Sequence, residues 1–179
     1  MESITPEKLH TFLEKLGHLY PGLVKLYLLG GSALCLSGNP RVTVDIDYCF
    51  DLESGDPLDF EGKVKQLAIE MKLALKLVAP AELTPLPPDA YQRRRFIGRY
   101  SNLEAYLFDL YSIALGKIGR GFETDLDDVI FMLREKLITM VELERLFNII
   151  LPMTIQSTID PKEFQMYFVE IKRRAARDK

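Results

Sequence analysis

Two neighbouring segments in the first third of the chain constrain its fold more than any other feature. Residues 24–29 are rich in β-forming side chains and run into Gly30, Gly31 and Ser32, and two aspartates follow, the first thirteen residues after the serine. Adjacent glycines end a strand because they allow sharp turns and have no side chain to pack on a sheet. The pattern predicts a strand, a tight turn, a short helix over 32–37 and a second strand.

The two aspartates, Asp45 and Asp47, are separated by one apolar residue in a run with strand composition. Side chains alternate between the faces of a strand, so both carboxylates point to the same side. Two carboxylates this close repel each other unless a cation lies between them, and Mg²⁺ prefers carboxylate and phosphate oxygens. The alternative is a pair of solvent-facing aspartates on an edge strand.

The turn formed by Gly30, Gly31 and Ser32 also has two interpretations. Its amides and hydroxyl can donate hydrogen bonds to phosphate oxygens at the start of the following helix. Alternatively, it is only a tight strand-to-helix turn that Ser32 caps. Taken together with the aspartates, the turn favours the first interpretation, because phosphate donors and metal ligands would then lie at adjacent strand ends.

The character of the chain changes after Asp109, where strand candidates give way to helical periodicity. The predicted strands cover 24–29, 42–50, 73–78, 93–100 and 103–108, and the predicted later helices cover 111–118, 124–135, 139–149 and 161–177. Segregated helices indicate an α+β protein, with a mixed sheet and flanking helices followed by a C-terminal helical bundle. We expect an α/β domain over 1–110 and a helical region over 111–179 packed on it as one structural unit.

Composition limits the classes of protein to which this chain can belong. A net charge of −3 excludes a globally basic nucleic-acid binder but not a local basic face. The N-terminal residues lack the features of a signal peptide, and no apolar run approaches the roughly 18 residues of a membrane span. We therefore expect a cytoplasmic protein with no membrane partner.

The spacing of these residues resembles a known signature. Apolar-Gly-Gly-Ser, a gap of twelve residues and Asp-apolar-Asp is similar to the motif of the nucleotidyltransferase superfamily, which has the DNA polymerase β-like fold. Arg41 and Thr43 resemble the Arg-x-Thr-x-Asp-x-Asp form of its small prokaryotic members. A second block, which includes Lys117, Arg120 and residues 125–129, is similar to one in abortive-infection-type toxins and related bacterial proteins.

The resemblance implies a role for each matching residue. Gly31 and Ser32 would contact a nucleoside triphosphate, Asp45 and Asp47 would hold Mg²⁺, and Lys117 would reach the phosphates. The implied reaction is metal-dependent transfer of a nucleoside monophosphate to a hydroxyl of an RNA, such as tRNA, or of a protein. The implied setting is a toxin–antitoxin pair or phage defence, with a cognate antitoxin or toxin as partner. The alternative is a degenerate, antitoxin-like member that binds nucleotide or a partner protein without catalysis.

Several assignments stay open at this point. Many members of the superfamily use a third carboxylate, for which Glu104 is the first candidate and Asp109 a substitute. Lys117 can also be a solvated lysine near a helix end. Asp125 and Asp128 match acidic positions of the second block, but acids in the first turn of a helix are also favoured by its dipole.

A cluster of arginines interrupts the otherwise acidic chain. Residues 93–95 and Arg99 are arginines, and Tyr91, Phe96 and Tyr100 lie among them. This combination indicates an electrostatic path for an RNA acceptor with aromatic rings to stack on its bases. The alternative is a charged strand face whose aromatics belong to the core. For a second basic cluster, over 172–179, we favour a solvated helix end.

Overall fold

The computed structural model describes residues 3–177 and is an α+β protein, as the sequence predicts. The helices are α1 (Pro6–Leu19), α2 (Gly30–Leu36), α3 (Pro57–Met71), α4 (Pro80–Leu83), α5 (Leu110–Arg120), α6 (Glu123–Arg134), α7 (Met140–Ile150), a 3₁₀ helix (Leu151–Gln156) and α8 (Pro161–Arg177). The strands are β1 (Val24–Leu28), β2 (Asp45–Leu52), β3 (Ala74–Leu77), β4 (Arg95–Tyr100) and β5 (Leu103–Leu107). The predicted C-terminal helices are confirmed.

The sheet has five strands in the order β3-β2-β1-β5-β4. The central strand β1 pairs antiparallel with β2 and parallel with β5, so the sheet is mixed. At the end of β1, Leu28 is opposite Tyr48 on one side and Leu107 on the other. This register brings the turn after β1 next to the aspartate end of β2.

One face of the sheet is apolar and forms the core beneath two helices. Leu26, Ile46 and Ala105 are fully buried on this face. α1 begins where the Thr5 side chain accepts a hydrogen bond from the amide of Lys8, and its apolar stripe packs against β4 and β5. α3 packs beside α1 and β3. The opposite face carries the polar residues of the strands, including both aspartates.

The contacts divide the chain into two compact units. The first unit contains the sheet and α1 to α3, from residues up to Val78 together with Arg94–Phe108. The second contains Ala79–Arg93 and the described helices from Asp109 onward; in its core the rings of Phe147 and Phe168 stack with centroids 4.0 Å apart. The domain limits predicted at 110 and 111 remain a prediction. Within residues 3–177 no helix is both long enough and apolar enough to cross a bilayer.

Several local boundaries differ from the sequence prediction. α2 begins at Gly30 rather than at Ser32, so Ser32 lies inside the helix and is not its cap. β2 begins at Asp45 rather than at residue 42, because the residues before it form only an isolated bridge between the buried Thr43 and Ile4. The segment between β3 and β4, for which the sequence predicts neither helix nor strand, contains the short α4, which begins at Pro80.

Candidate active site

The glycine turn lies directly against the second aspartate. β1 ends at Leu28, and α2 begins at Gly30, whose φ of +52° is in the left-handed region. A Cβ atom at Gly30 would overlap the Oδ2 atom of Asp47. Only glycine provides both this backbone conformation and the space for the carboxylate. The turn and Asp47 therefore form one local structure.

The second glycine packs against the segment that leads into β2. A Cβ atom at Gly31 would lie 2.5 Å from Oγ1 of Thr43 and 3.8 Å from Nη2 of Arg41. Thr43 is buried, and its hydroxyl donates a hydrogen bond of 3.3 Å to the carbonyl of Asp45. The motif resemblance pointed to Arg41 and Thr43 without a role. The packing assigns Thr43 the role of holding the start of the aspartate strand against the turn.

Ser32 connects the turn to β2 through hydrogen bonds on the buried side. Its side chain is fully buried, and its hydroxyl lies within donating distance of the carbonyls of Leu29, at 2.7 Å, and Asp47, at 3.2 Å. The amide of Leu29 also donates to the carbonyl of Asp47, at 2.9 Å. These bonds hold the backbone of Asp47 in place. The predicted contact between Ser32 and a triphosphate remains a prediction.

Asp45 and Asp47 lie on the same face of β2. Ile46 and Tyr48, which alternate with them, are buried, whereas both aspartates are half-buried. The predicted alternation of the strand is therefore confirmed. Val44, which the same alternation assigns to the buried side, is 49% exposed because it precedes the sheet.

The two carboxylates fit a magnesium ion that arrives with its nucleotide. Among residues 3–177, no three His, Cys, Asp or Glu side chains are grouped so that they could hold a metal by themselves. Mg²⁺ is ordinarily held by one or two carboxylates, substrate phosphates and waters rather than by a cage of protein ligands. Asp45 and Asp47 match the number and type of protein ligands that such a site needs, and the ion itself remains a prediction.

A cysteine, Cys49, continues the aspartate face of β2. Burial, assisted by the negative charge of Asp51, raises the pKa of its thiol to about 12. The thiol is therefore protonated at neutral pH, and the thiolate is the form that acts as nucleophile or metal ligand.

Glu104, the first candidate for a third carboxylate, lies on a distant row of the sheet. Glu104 is opposite Lys25 of β1. The row of Asp47 lies four residues further along β1, which places the two rows about 13 Å apart along the strand direction. Arg99 donates a hydrogen bond to Glu104 and Tyr106 donates another. The hydrogen bond from Arg99 is the main reason that the pKa of Glu104 is lowered.

The residue that directly follows β5 and shares the row of Asp47 is aromatic. Because Leu28 is opposite Tyr48 and Leu107, the next row contains Asp47, Leu29 and Phe108. The amide of Phe108 donates to the carbonyl of Leu28 at 2.9 Å, which continues the pairing to this row.

The substitute candidate, Asp109, is committed to other contacts in the second unit. Its side chain is 1% exposed and accepts hydrogen bonds from Nε and Nη2 of Arg93, at 3.0 and 2.7 Å. It also caps α5 by accepting from the amides of Tyr111 and Ser112. Nothing in the sequence indicated that Arg93 and Asp109 form an ion pair, because the fold brings together residues that are 16 positions apart.

Lys117 lies in a buried charged cluster of the second unit. The side chain is 2% exposed, and Nζ donates to Asp125 at 2.9 Å and to Asp128 at 2.6 Å. Arg120 donates two further hydrogen bonds to Asp125. Burial acts to raise the pKa of Asp125, but hydrogen bonds from Arg120 and Lys117 outweigh it, and the pKa is lowered. The second block of the resemblance thus forms one cluster, and the reach of Lys117 to phosphates remains a prediction.

Comparison of the chain with known proteins identifies its family. No curated protein and no solved structure matches the chain. A family model described as "nucleotidyltransferase of unknown function" (DUF6036) matches residues 7–176, which include the glycine turn, the aspartate strand and the buried lysine cluster. The match covers nearly the whole chain, and the protein therefore belongs to this nucleotidyltransferase family.

Proposed function

We propose that this protein is a metal-dependent nucleotidyltransferase that moves a nucleoside monophosphate from a nucleoside triphosphate to a hydroxyl of an RNA or a protein. The observation that carries the proposal is the close approach of Gly30 to the carboxylate of Asp47. This contact places the glycine turn, which has no side chains to block a ligand, beside Asp47, one of the two acids that share a face of β2. Membership of a nucleotidyltransferase family supports the same reaction class.

Each group has a distinct part in the proposed reaction. Asp45 and Asp47 would hold Mg²⁺, and Gly30 and Gly31 would contact the triphosphate, while the buried Ser32 would hold the turn in place. The ion would supply charge neutralisation on the phosphates. A bond forms between the acceptor oxygen and the α-phosphorus while the bond to pyrophosphate breaks, and the hydroxyl proton passes to solvent. Catalysis then depends mainly on positioning and on charge stabilisation.

The proposal is tested with α-labelled nucleoside triphosphates, each incubated with the protein, Mg²⁺ and cellular RNA or protein. We expect label transfer by the wild-type chain and a loss of at least about 100-fold in the Asp45→Asn plus Asp47→Asn variant, the scale of removing a principal charge-stabilising group. Asp51→Asn is the matched control, because Asp51 lies on the same face of β2 but is exposed. Transfer that survives the double substitution would refute the mechanism.

A second candidate function follows from the row that Asp47 shares with Phe108. With an aromatic residue where a neighbouring strand could provide a third acid, the protein would bind nucleotide or a partner protein without turnover, as an antitoxin-like member. Saturable binding of a triphosphate with no label transfer to any acceptor would favour this function over the first.

The biological setting and the role of Lys117 belong to the same proposal. A toxin–antitoxin or phage-defence component acting in the cytoplasm would arrest growth when expressed alone, and the arrest would require Asp45 and Asp47. Lys117 would contact phosphates only if it exchanged one of its buried carboxylate partners for the nucleotide, because both partners lie within 2.9 Å of Nζ.

A further inference from the structure

The polar face of the sheet carries an aromatic cluster beside the aspartate strand. Tyr27 on β1 stacks on Tyr106 of β5 with ring centroids 5.6 Å apart. Phe96 on β4 meets Tyr106 edge to face at 5.4 Å. The hydroxyl of Tyr27 donates to Asp51 of β2 at 2.9 Å. These contacts cross four neighbouring strands, so the rings are held rigidly in the order in which the strands pair.

The outer ring of this cluster is open to solvent. Phe96 is 59% exposed, a high value for a phenylalanine in a strand. Tyr106, beneath it, is half-buried, and Tyr27 is buried. A core role explains Tyr27 but not Phe96. An exposed aromatic ring supported by a second ring is a platform on which a planar group can stack.

Arginines border the platform. The guanidinium of Arg94 lies over the ring of Tyr106, 5.2 Å from its centroid. Arg99, opposite Glu104 in the register, is 69% exposed through its side chain. Residues 92–100 contain four arginines and no acid, although the whole chain has a net charge of −3. Three of these arginines, Arg94, Arg95 and Arg99, belong to the first unit, where Arg99 is paired with Glu104. Basic side chains are therefore concentrated at this edge of the sheet.

The arginines and aromatic residues that cluster over 91–100 in the sequence lie in different environments in the fold. Phe96 and Arg99 face the platform side, because they are opposite Tyr106 and Glu104. Tyr100 points to the other side, where its hydroxyl lies 2.6 Å from Nδ1 of His10. Arg93 belongs to the second unit, where it binds Asp109. Only part of the cluster is thus available on one surface.

We propose that this face binds single-stranded nucleic acid. A base stacks on the exposed ring of Phe96, which Tyr106 supports from beneath, and the adjoining phosphates contact Arg94 and Arg99. Exposed π-faces bordered by guanidinium groups match the alternation of bases and phosphates in a single strand, whereas a duplex hides the faces of its bases. A peptide offers no such alternation of planar rings and negative charge.

The position of the platform also suggests which end of the strand reaches the aspartates. β4 and β2 are three strand spacings apart, and the row of Phe96 lies two residues from that of Asp47 along β2, which together give about 16 Å. A few extended nucleotides reach across this distance. The terminal hydroxyl of a strand stacked at Phe96 can therefore lie beside Asp47 as the acceptor. This last step rests on the proposed function, but the binding of the strand does not.

The test measures binding without turnover. A fluorescently labelled single-stranded RNA of about a dozen nucleotides is titrated with the whole protein in EDTA, without nucleotide, and anisotropy is recorded. We expect Phe96→Ala to weaken binding at least about fivefold, from the loss of one base stack. We expect Arg94→Ala to reduce the slope of log affinity against log salt by about one. Ultraviolet cross-linking should recover RNA on the peptide that contains Phe96.

Matched controls separate this surface from general effects. Phe122→Ala removes an equally exposed phenylalanine of the second unit, and Arg95→Ala removes the neighbouring arginine on the opposite face of β4. Both should bind RNA within about twofold of wild type, a change smaller than the loss of one stack. Absence of RNA binding, equal weakening by the controls, or a preference for duplex RNA would overturn the proposal. If the protein labels a protein acceptor but does not bind RNA, the proposed transferase activity is supported and the proposed nucleic-acid site is refuted.

Discussion

At the scale of single residues, the site depends on the absence of side chains as much as on their presence. Gly30 leaves room for the carboxylate of Asp47, and Gly31 leaves room for Thr43. Ser32 then binds the backbone of Asp47 from the buried side. The motif residues are therefore mutually dependent in packing, whatever they contact in a ligand. Changing one of them displaces another.

Gly30→Ala tests this dependence, with Gly38→Ala as its control. Both glycines have positive φ, +52° and +87°, but an added Cβ at Gly38 meets nothing within 4 Å. We expect both substitutions to cost about 1–2 kcal/mol of unfolding free energy through backbone strain, and Gly30→Ala to cost more because of the overlap with Asp47. Urea unfolding measures both. Equal losses at the two positions would show that the contact with Asp47 contributes nothing.

At the scale of secondary structure elements, α5 and α6 are joined by the charged cluster around Lys117. Lys117 and Arg120 come from α5, and Asp125 and Asp128 from α6. The sequence favoured either a phosphate contact or a solvated lysine. The second is wrong, because the side chain is 2% exposed. A buried ion cluster instead fixes how the two helices pack.

Lys117→Met is expected to destabilise the protein strongly. It keeps the apolar length of the side chain but leaves two buried carboxylates without their shared cation, a change that typically costs about 3–5 kcal/mol. Lys172→Met, which breaks the half-exposed pair with Glu144, should cost no more than about 1 kcal/mol. Thermal or urea unfolding compares them. Similar stabilities of the two variants would argue against a structural role for the cluster.

At the scale of the whole molecule, charge is distributed unevenly while the net value stays small. Acids gather on β2, where Asp45, Asp47 and Asp51 share a face, and arginines gather around β4. Such separation would let one sheet bind the proposed cation on one strand and the proposed nucleic-acid phosphates beside another. Net charge alone, at −3, conceals both.

Binding of metal and nucleotide should therefore stabilise the whole fold together. With a suitable triphosphate at about 100 times its dissociation constant, linkage predicts a gain of about 2.7 kcal/mol in unfolding free energy. We expect EDTA to remove most of the gain, since Mg²⁺ bridges carboxylates and phosphates. Differential scanning calorimetry with each triphosphate measures it. A gain that persists in EDTA and in Asp45→Asn plus Asp47→Asn would contradict a metal site at these residues.

The elements of the fold were largely predictable, because they follow from local patterns. The alternation around Ile46 and the glycine turn that follows β1 each depend on a few neighbouring residues. The boundaries of α2 and β2 were predicted less well. They depend on contacts from outside the segment, such as the hydroxyl of Thr43 on Asp45.

The sequence by itself determined that Asp45 and Asp47 share a face and that glycines precede them, since side-chain alternation and backbone freedom are local properties. Only the tertiary structure decided that Gly30 touches Asp47, that Phe108 rather than Glu104 lies on its row, and that Lys117 is buried between carboxylates. The physical reason is that strand register and helix packing join residues far apart in the chain. No periodicity within a segment specifies which partner it will meet.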